Sequence, residues 1–192
     1  MTTNLPPGTT KKGIDYSNQD LSSQLYQDHI FEQCNFSFAQ LINARLEDVT
    51  FIDCNLSCTN FENCLLSGVR FENCKLVGID FHHCLSRLGA MDLQFQNCVL
   101  QGCNFSELKL AKTPFKDSEI SDCIFNTTDL SEADFSGSDL TNTLFHSCQL
   151  GKSNFATARN YTIDYHTNHL TKAQFSLPEA VALLQFLDVK II

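Results

Sequence analysis

Cysteine and histidine are the residues of this chain that could bind a metal, form a disulfide or act as a nucleophile, and it holds ten cysteines and six histidines. A zinc site needs close pairs such as CxxC or CxH, whereas these cysteines follow intervals of five and ten residues. Cys54 and Cys58 come closest to a pair, so a metal or disulfide role there is the alternative. The adjacent His82 and His83 are interpreted as outward positions without a partnered nucleophile. We predict no catalytic residue, no cofactor, no metal ligand and no enzymatic activity.

A repeat of five residues contains the cysteines, and the stretch "FENCLLSGVRFENCKLVGIDF" (61–81) displays it. Large apolar residues recur at every fifth position from Tyr16 to Phe81 and again from Phe95 to Phe175, with Asn160 as the one polar exception, and 14 of the 16 phenylalanines lie on this series. Neither a helix of period 3.6 nor a strand of period two buries a side chain at every fifth position over such a length. An α-helix is therefore excluded as the main element.

A second series of small residues stands two positions before each large one, and it consists of Ala, Val, Ser, Thr and Cys. Free cysteine behaves as a small, readily buried hydrophobe, so it suits such a position. Eight cysteines are explained as packing residues in this way: Cys34, Cys54, Cys64, Cys74, Cys98, Cys103, Cys123 and Cys148. In a reducing cytosol they should remain thiols.

The order small residue, Asp or Asn, then Leu or Phe resembles the pentapeptide repeat family over residues 14 to 176, as in Ala133-Asp134-Phe135. The resemblance implies an all-β fold, a right-handed quadrilateral β-helix with four pentapeptides in each of about eight coils. Residues 20 apart should then stack. This predicts one column of Phe95, Phe115, Phe135, Phe155 and Phe175, and an opposite column of Phe105, Phe125, Phe145 and Tyr165. Leu and Ile should fill the two faces between them.

Charge and hydropathy narrow the possible partners and the location. The formal net charge is -9, which repels nucleic acid and anionic membranes and attracts basic protein surfaces. No apolar run approaches the ~18 residues needed to span a bilayer, and no secretory signal is recognised. We expect a cytoplasmic protein that binds neither nucleic acid nor membrane.

The register breaks once, because 14 residues separate Phe81 from Phe95 where the repeat allows ten. About four residues should therefore bulge from the coil, and the candidate loop residues are Arg87, Leu88, Met91 and Asp92. The break is either a tolerated insertion or a binding loop on a rigid scaffold. The predicted domain organisation is a flexible lead at 1–13, a β-helix at 14–175 interrupted around 84–94, and a C-terminal module at 176–192.

The C-terminal module should begin with a capping box, with Ser176 as N-cap and Glu179 reaching back to it. A short α-helix and a terminal strand are predicted to follow. The helix is apolar nearly all round, which favours a homodimer joined through the C-termini over simple capping of the last coil. The proposed interface residues are Pro178, Val181, Leu183, Leu184, Phe186, Leu187, Val189 and Ile191. This region resembles the dimerisation module of the gyrase-protecting group, which includes Qnr, MfpA and the albicidin-resistance protein.

Seven acidic residues lie between Lys116 and Lys152 without any Lys or Arg among them: Asp117, Glu119, Asp122, Asp129, Glu132, Asp134 and Asp139. They form the predicted gyrase-binding acidic patch of a rod that mimics DNA. Under this hypothesis the protein binds DNA gyrase or topoisomerase IV and protects it from quinolones or a natural gyrase poison. The charge run could instead be a solvated face, and Asp residues directly before a large residue could be structural. The alternative function is a non-catalytic interaction scaffold without a topoisomerase partner.

Overall fold

In the computed structural model, which describes residues 8–87 and 89–187, sixteen short strands run parallel to one another around a four-sided solenoid of about eight coils. Each coil contributes one pentapeptide to each face, so a residue pairs with the residue 20 positions later, as Phe31 does with Phe51. The predicted fold class is confirmed. We number the faces 1 to 4 in the direction of the chain, and face 1 contains Phe31.

The strands are two to four residues long and stack in parallel sheets. Face 1 holds β1 (Thr10–Lys12), β3 (Ile30–Glu32), β5 (Thr50–Ile52), β7 (Val69–Glu72), β9 (Leu93–Gln96), β11 (Phe115–Lys116), β15 (Asn154–Phe155) and β16 (Gln174–Phe175). Face 2 holds β8 (Lys75–Val77), β10 (Val99–Gln101) and β12 (Glu119–Ser121). Face 3 holds β13 (Ile124–Asn126) and β14 (Leu144–His146), and face 4 holds β2 (Leu25–Gln27), β4 (Arg45–Glu47) and β6 (Leu65–Ser67).

Two columns of phenylalanine rings fill the axis of the solenoid. Within a column the rings stack almost flat, as Phe95 does on Phe115 at 5.0 Å between centroids. Between the columns they meet edge to face, as Phe115 does with Phe125 at 5.7 Å and 88°. Both arrangements suit the ring quadrupole, and together they pack a core too narrow for layered elements. The predicted opposition of aromatic columns on faces 1 and 3 is correct.

The small residues of the second series do more than fill space, because many of them donate a hydrogen bond to the preceding coil. The Cys123 thiol donates to the carbonyl of Leu100 at 3.3 Å, and the Thr143 hydroxyl donates to the carbonyl of Ile120 at 2.6 Å. The same bond recurs from Cys54, Thr59, Cys74, Cys98, Cys103, Thr128, Ser138 and Cys148. Cysteine, serine and threonine are therefore alternative ways to link two coils from the inside.

This bond predicts that Cys123→Ser lowers the free energy of unfolding by less than ~1 kcal/mol, since a serine hydroxyl can donate to Leu100 as the thiol does. Urea unfolding followed by circular dichroism measures the change. Cys58→Ser at an exposed corner serves as the control. A loss of several kcal/mol at position 123 would show that the hydroxyl finds no partner there.

Two ends of the predicted repeat need correction. The strand Thr10–Lys12 pairs with Ile30–Glu32, so the solenoid begins inside the segment predicted to be a flexible lead. Near the other end, Tyr165 is exposed rather than buried, and Ile163 is buried instead. Leu144 bridges to Thr162, only 18 residues later, whereas Gln149 bridges to His169 at the regular spacing of 20. The chain is therefore two residues short at Thr162 and recovers them in a turn at 165–167.

The C-terminal helix is a 3₁₀ helix, Glu179–Phe186, and not an α-helix. Its N-cap is Pro178 and makes no side-chain capping bond, so the predicted capping box is wrong. The Ser176 hydroxyl instead accepts a hydrogen bond from the backbone N–H of Thr157 in the last coil. The predicted terminal strand lies outside the described residues. No helix in the described part of the chain is long and apolar enough to cross a bilayer.

Candidate functional site

The cysteines are free thiols, and among residues 8–87 and 89–187 no three His, Cys, Asp or Glu side chains are grouped to hold a metal ion. Nine cysteines are buried, and burial raises the pKa of the Cys98 thiol to about 11. Cys54 points into the core, whereas Cys58 is exposed at a corner with φ of 56°. Cys54 and Cys58 are therefore both free thiols in different environments, one in the core and one at the surface.

The seven acidic residues between Lys116 and Lys152 separate into two groups when the chain is wound into coils. Asp117, Glu119, Asp122 and Asp139 lie on face 2 or on its two corners. Asp129 lies on face 4, Glu132 on the corner between faces 4 and 1, and Asp134 on face 1. Faces 2 and 4 are on opposite sides of the solenoid, so a run that is continuous in sequence is not one surface. We call the first group the face-2 acidic group.

Three members of the face-2 acidic group, Asp117, Glu119 and Asp139, border a shallow groove that also contains Gly137 and Arg159. Asp117, Glu119 and Asp122 are exposed, and Arg159 lies 3.9 Å from Asp139. Burial acts to raise the pKa of Asp139, but hydrogen bonds from Thr141 and Asn160 outweigh it and hold the pKa below its ordinary value. These groups therefore present negative charge in an open groove.

Gly137 allows Asp117 to lie across the corner of the next coil, and sequence reasoning missed this residue. A Cβ atom on Gly137 would come 2.2 Å from Asp117 Oδ1, and its backbone has a φ of +74°. The signal was present in the sequence, because Gly137 occupies a corner position where neighbouring coils have Asn97, Asp117 and Thr157. A side chain at 137 would displace the Asp117 carboxylate from the groove.

Lysines from neighbouring coils pair with two of the three members of the second acidic group. Lys116 Nζ lies 2.9 Å from Asp134, and Lys152 Nζ lies 3.6 Å from Glu132. Burial acts to raise the pKa of Asp134, but hydrogen bonds from Lys116 and Ser136 outweigh it and lower the pKa. Asp129 and Asp134 also accept backbone N–H bonds from residues two positions later, at 3.0 Å. Two members of this group therefore support turns, the structural role anticipated for Asp before a large residue.

The residues predicted for the candidate loop have different environments. Met91 is only 6% exposed and belongs to the core, so its prediction as an outward loop residue is wrong. Arg87 makes an ion pair with Glu47, and Asp92 is exposed while its carbonyl accepts the N–H of Val69. Leu88 lies outside the described residues. The four-residue insertion itself is present, because Phe71 pairs with Phe95 rather than with residue 91.

The residues proposed for the dimer interface divide between the core and the surface. Leu183 packs against the last coil, whereas Val181, Leu184 and Leu187 are exposed at 42%, 39% and 40%. A 3₁₀ helix has three residues per turn, so residues three apart lie on one edge. Pro178 is also exposed and falls in the same series, and Phe186 is half-buried. Val189 and Ile191 lie outside the described residues.

Comparison with protein-family models supports the assignment of the five-residue repeat. The pentapeptide repeat region model matches residues 26–105, and the pentapeptide repeats model, of eight copies, matches residues 123–159. No curated protein sequence matches the chain.

Two solved structures of trypsin-treated QnrB1, described as a plasmid-mediated fluoroquinolone resistance protein, resemble the whole chain. One superposes with a TM-score of 0.86 at 21% identity and covers 100% of this chain and 94% of its own. The other has a TM-score of 0.79 at 18% identity and covers 95% and 97%. At such identities the likeness concerns the fold. The matched repeats span more than half of the sequence, and the chain belongs to the pentapeptide repeat family.

Proposed function

We propose that this protein binds a type II topoisomerase, DNA gyrase or topoisomerase IV, in place of duplex DNA and protects it from quinolones or from a natural gyrase poison. The observation that carries the proposal is the face-2 acidic group, which projects negative charge from a rigid, rod-like scaffold. A topoisomerase groove that holds duplex DNA is basic, and such a surface attracts an anionic rod of similar width. This partner places the protein in the cytoplasm.

Dimensions support mimicry if two copies join through their C-termini. About eight coils at ~4.8 Å each give a rod of roughly 38 Å. Two rods end to end would then span roughly 80 Å, somewhat more than the length of ~20 base pairs. The face-2 acidic group lies in the C-terminal half of the solenoid, so a twofold axis at the C-terminal helix would bring two such groups towards the middle of the rod. In this proposal residues 176–192 form the dimerisation module.

The proposal predicts that Asp117→Asn, Glu119→Gln and Asp122→Asn together weaken topoisomerase binding at least ~10-fold without loss of stability. The reason is that the variant lacks three negative charges that speed association with a basic groove and stabilise the complex. Asp117 and Asp122 have φ of 50° and 54°, a region that asparagine tolerates well. Asn142 already occupies the corner one coil after Asp122 with a φ of 56°. Binding is measured with purified gyrase by surface plasmon resonance, at low and high salt.

The matched control removes three charges from the second acidic group, through Asp129→Asn, Glu132→Gln and Asp134→Asn. Asparagine can keep the turn bonds, as Asn55 and Asn104 do in other coils. Both variants therefore have the same net charge and differ in where the charge was removed. The control also breaks the ion pairs of Asp134 with Lys116 and of Glu132 with Lys152. Equal affinities of the two variants for gyrase would contradict a face-specific interaction and leave only a general charge effect.

A supercoiling assay with and without ciprofloxacin tests protection directly. We expect the protein to restore supercoiling by gyrase in the presence of the drug, and excess linear duplex to displace the protein from gyrase. If gyrase binds neither the parent nor the face-2 variant, the alternative function takes precedence, an interaction scaffold whose partner is not a topoisomerase. The likeness to QnrB1 in fold favours the topoisomerase as the first partner to test.

A further inference from the structure

Glu47 lies on face 4 and makes ion pairs although only 12% of its side chain is exposed. Two arginines converge on its Oε1 atom. Arg45 donates from Nη2 at 2.7 Å, and Arg87 approaches from Nη2 at 2.6 Å. Arg45 belongs to the same strand, β4, so it orients the carboxylate without help from any other coil. Arg87 is the second partner and comes from two coils further along the chain.

The stacking of coils explains how Arg87 reaches Glu47. Glu47 pairs with Ser67 in the next coil, and Arg87 follows 20 residues after Ser67, so the three residues occupy the same position of face 4 in successive coils. Two coils separate Glu47 from Arg87, a rise of ~10 Å that a glutamate and an arginine side chain can bridge together. The short side chain of Ser67 leaves the path between them open. A long side chain at 67 would block it.

The insertion begins directly after this ion pair. Leu65 still bridges to Leu85 at the regular spacing of 20, whereas Val69 pairs with Leu93 at a spacing of 24. The extra residues therefore lie between Leu85 and Leu93. At the far end Met91 is buried, and its N–H donates to the carbonyl of Lys109 at 2.9 Å. At the near end the side chain of Arg87 contacts Glu47.

We propose that Glu47 is a positioning residue that docks the start of the insertion against face 4 through Arg87. The carboxylate is already oriented by Arg45 and shielded from water, so Arg87 docks on a preorganised anchor and loses less side-chain freedom than it would at an exposed pair. With Glu47 neutral, Arg45 and Arg87 face one another without a shared counter-ion, and the insertion is released at this end. The inference concerns the free protein and does not depend on a topoisomerase partner.

Trypsin tests the proposal because it cleaves after Arg87 only when the chain there opens enough to enter the protease. We expect slow cleavage after Arg87 in the parent and about tenfold faster cleavage in Glu47→Gln, since hydrogen bonds between charged groups are the stronger ones. Fragments 1–87 and 88–192 identify the site by mass spectrometry. The thermal midpoint and the rates of cleavage at other sites should stay unchanged, which separates release of the insertion from general destabilisation.

Glu132→Gln is the control, because it removes an ion-paired carboxylate, more exposed than Glu47, whose partner Lys152 lies in an uninterrupted part of the repeat. It should leave cleavage after Arg87 unchanged. Glu47→Asp keeps the charge but shortens the side chain, and it should give an intermediate rate. Equal cleavage after Arg87 in the parent and in Glu47→Gln would overturn the proposal.

Discussion

Phe135→Ala is expected to lower the free energy of unfolding by ~3 to 5 kcal/mol, one of the two largest effects we predict for this protein. Phe135 is fully buried and stacks on Phe115 and Phe155, each at 5.0 Å between ring centroids. It also meets Phe125 at 6.0 Å and Phe145 at 5.7 Å, edge to face. The substitution therefore opens a cavity that four rings line.

The solenoid cannot close this cavity easily, and for this reason the upper part of the range is expected. The backbone of each coil is hydrogen-bonded to the coil on either side, as Phe135 N–H is to the carbonyl of Asn154 at 2.8 Å. Contraction around residue 135 would break several of these bonds. The cost of a cavity rises when its surroundings cannot relax.

Phe38→Ala provides the matched control, because Phe38 is 55% exposed at a corner and lies outside the core. The same atoms are removed there, so the two variants differ in burial. Urea unfolding of the parent and of both variants measures the difference. If Phe38→Ala and Phe135→Ala unfold at the same urea concentration, the rings at every fifth position do not form the core.

The period of five residues is sufficient to predict which side chains form the core, because each pentapeptide has its own burial pattern and neighbouring coils repeat it. The four-sided β-helix itself was implied by the resemblance to the pentapeptide repeat family. A large residue such as Phe115 needs no distant information to be assigned to the core. The columns follow from stacking every fourth repeat, and the pairing of Phe31 with Phe51 agrees with that prediction. In a repeat protein, contacts between residues far apart in the sequence can therefore be predicted from the local pattern.

Departures from the repeat could not be predicted in the same way. Tyr165 satisfies the period of five, yet the coil shortens by two residues and buries Ile163 in the position expected for it. Met91 lies within the insertion, where the period of five residues does not specify which side chain enters the core. The 3₁₀ form of the C-terminal helix could not be predicted either, because an apolar stretch of this kind suits an α-helix as well as a 3₁₀ helix.

The acidic residues show a different limit of sequence reasoning. Between Asp117 and Asp139 the chain completes a full coil, so residues that adjoin in sequence are distributed around all four sides. The absence of Lys and Arg from that stretch also says nothing about the coils stacked on it, which bring Lys116 to Asp134 and Lys152 to Glu132. A charge run in a solenoid has to be assigned to faces before it is interpreted as a surface.

The apolar edge of the C-terminal 3₁₀ helix leads to the second large effect, because its exposure in the monomer has a cost that a twofold interface would remove. Val181, Leu184 and Leu187 follow one another at three-residue intervals along this edge. We expect Leu184→Asp to raise the dimer dissociation constant at least ~1000-fold, since each interface would contain two unpaired carboxylates that lose their water. Light scattering coupled to size-exclusion chromatography measures the mass of the parent and of the variant.

Gln185→Asp is the matched control, because Gln185 is exposed on the same helix but lies outside the series that includes Leu184. It introduces the same charge one residue away and should leave the mass of the dimer unchanged. Both variants should fold, since Leu184 is 39% exposed in the single chain and Leu183 remains packed on the last coil. A parent that elutes with a monomeric mass at micromolar concentration would contradict the dimer, and the helix would then act only as a cap on the last coil. In that case a single rod of roughly 38 Å would have to account for any topoisomerase binding, over about half the length proposed for the dimer.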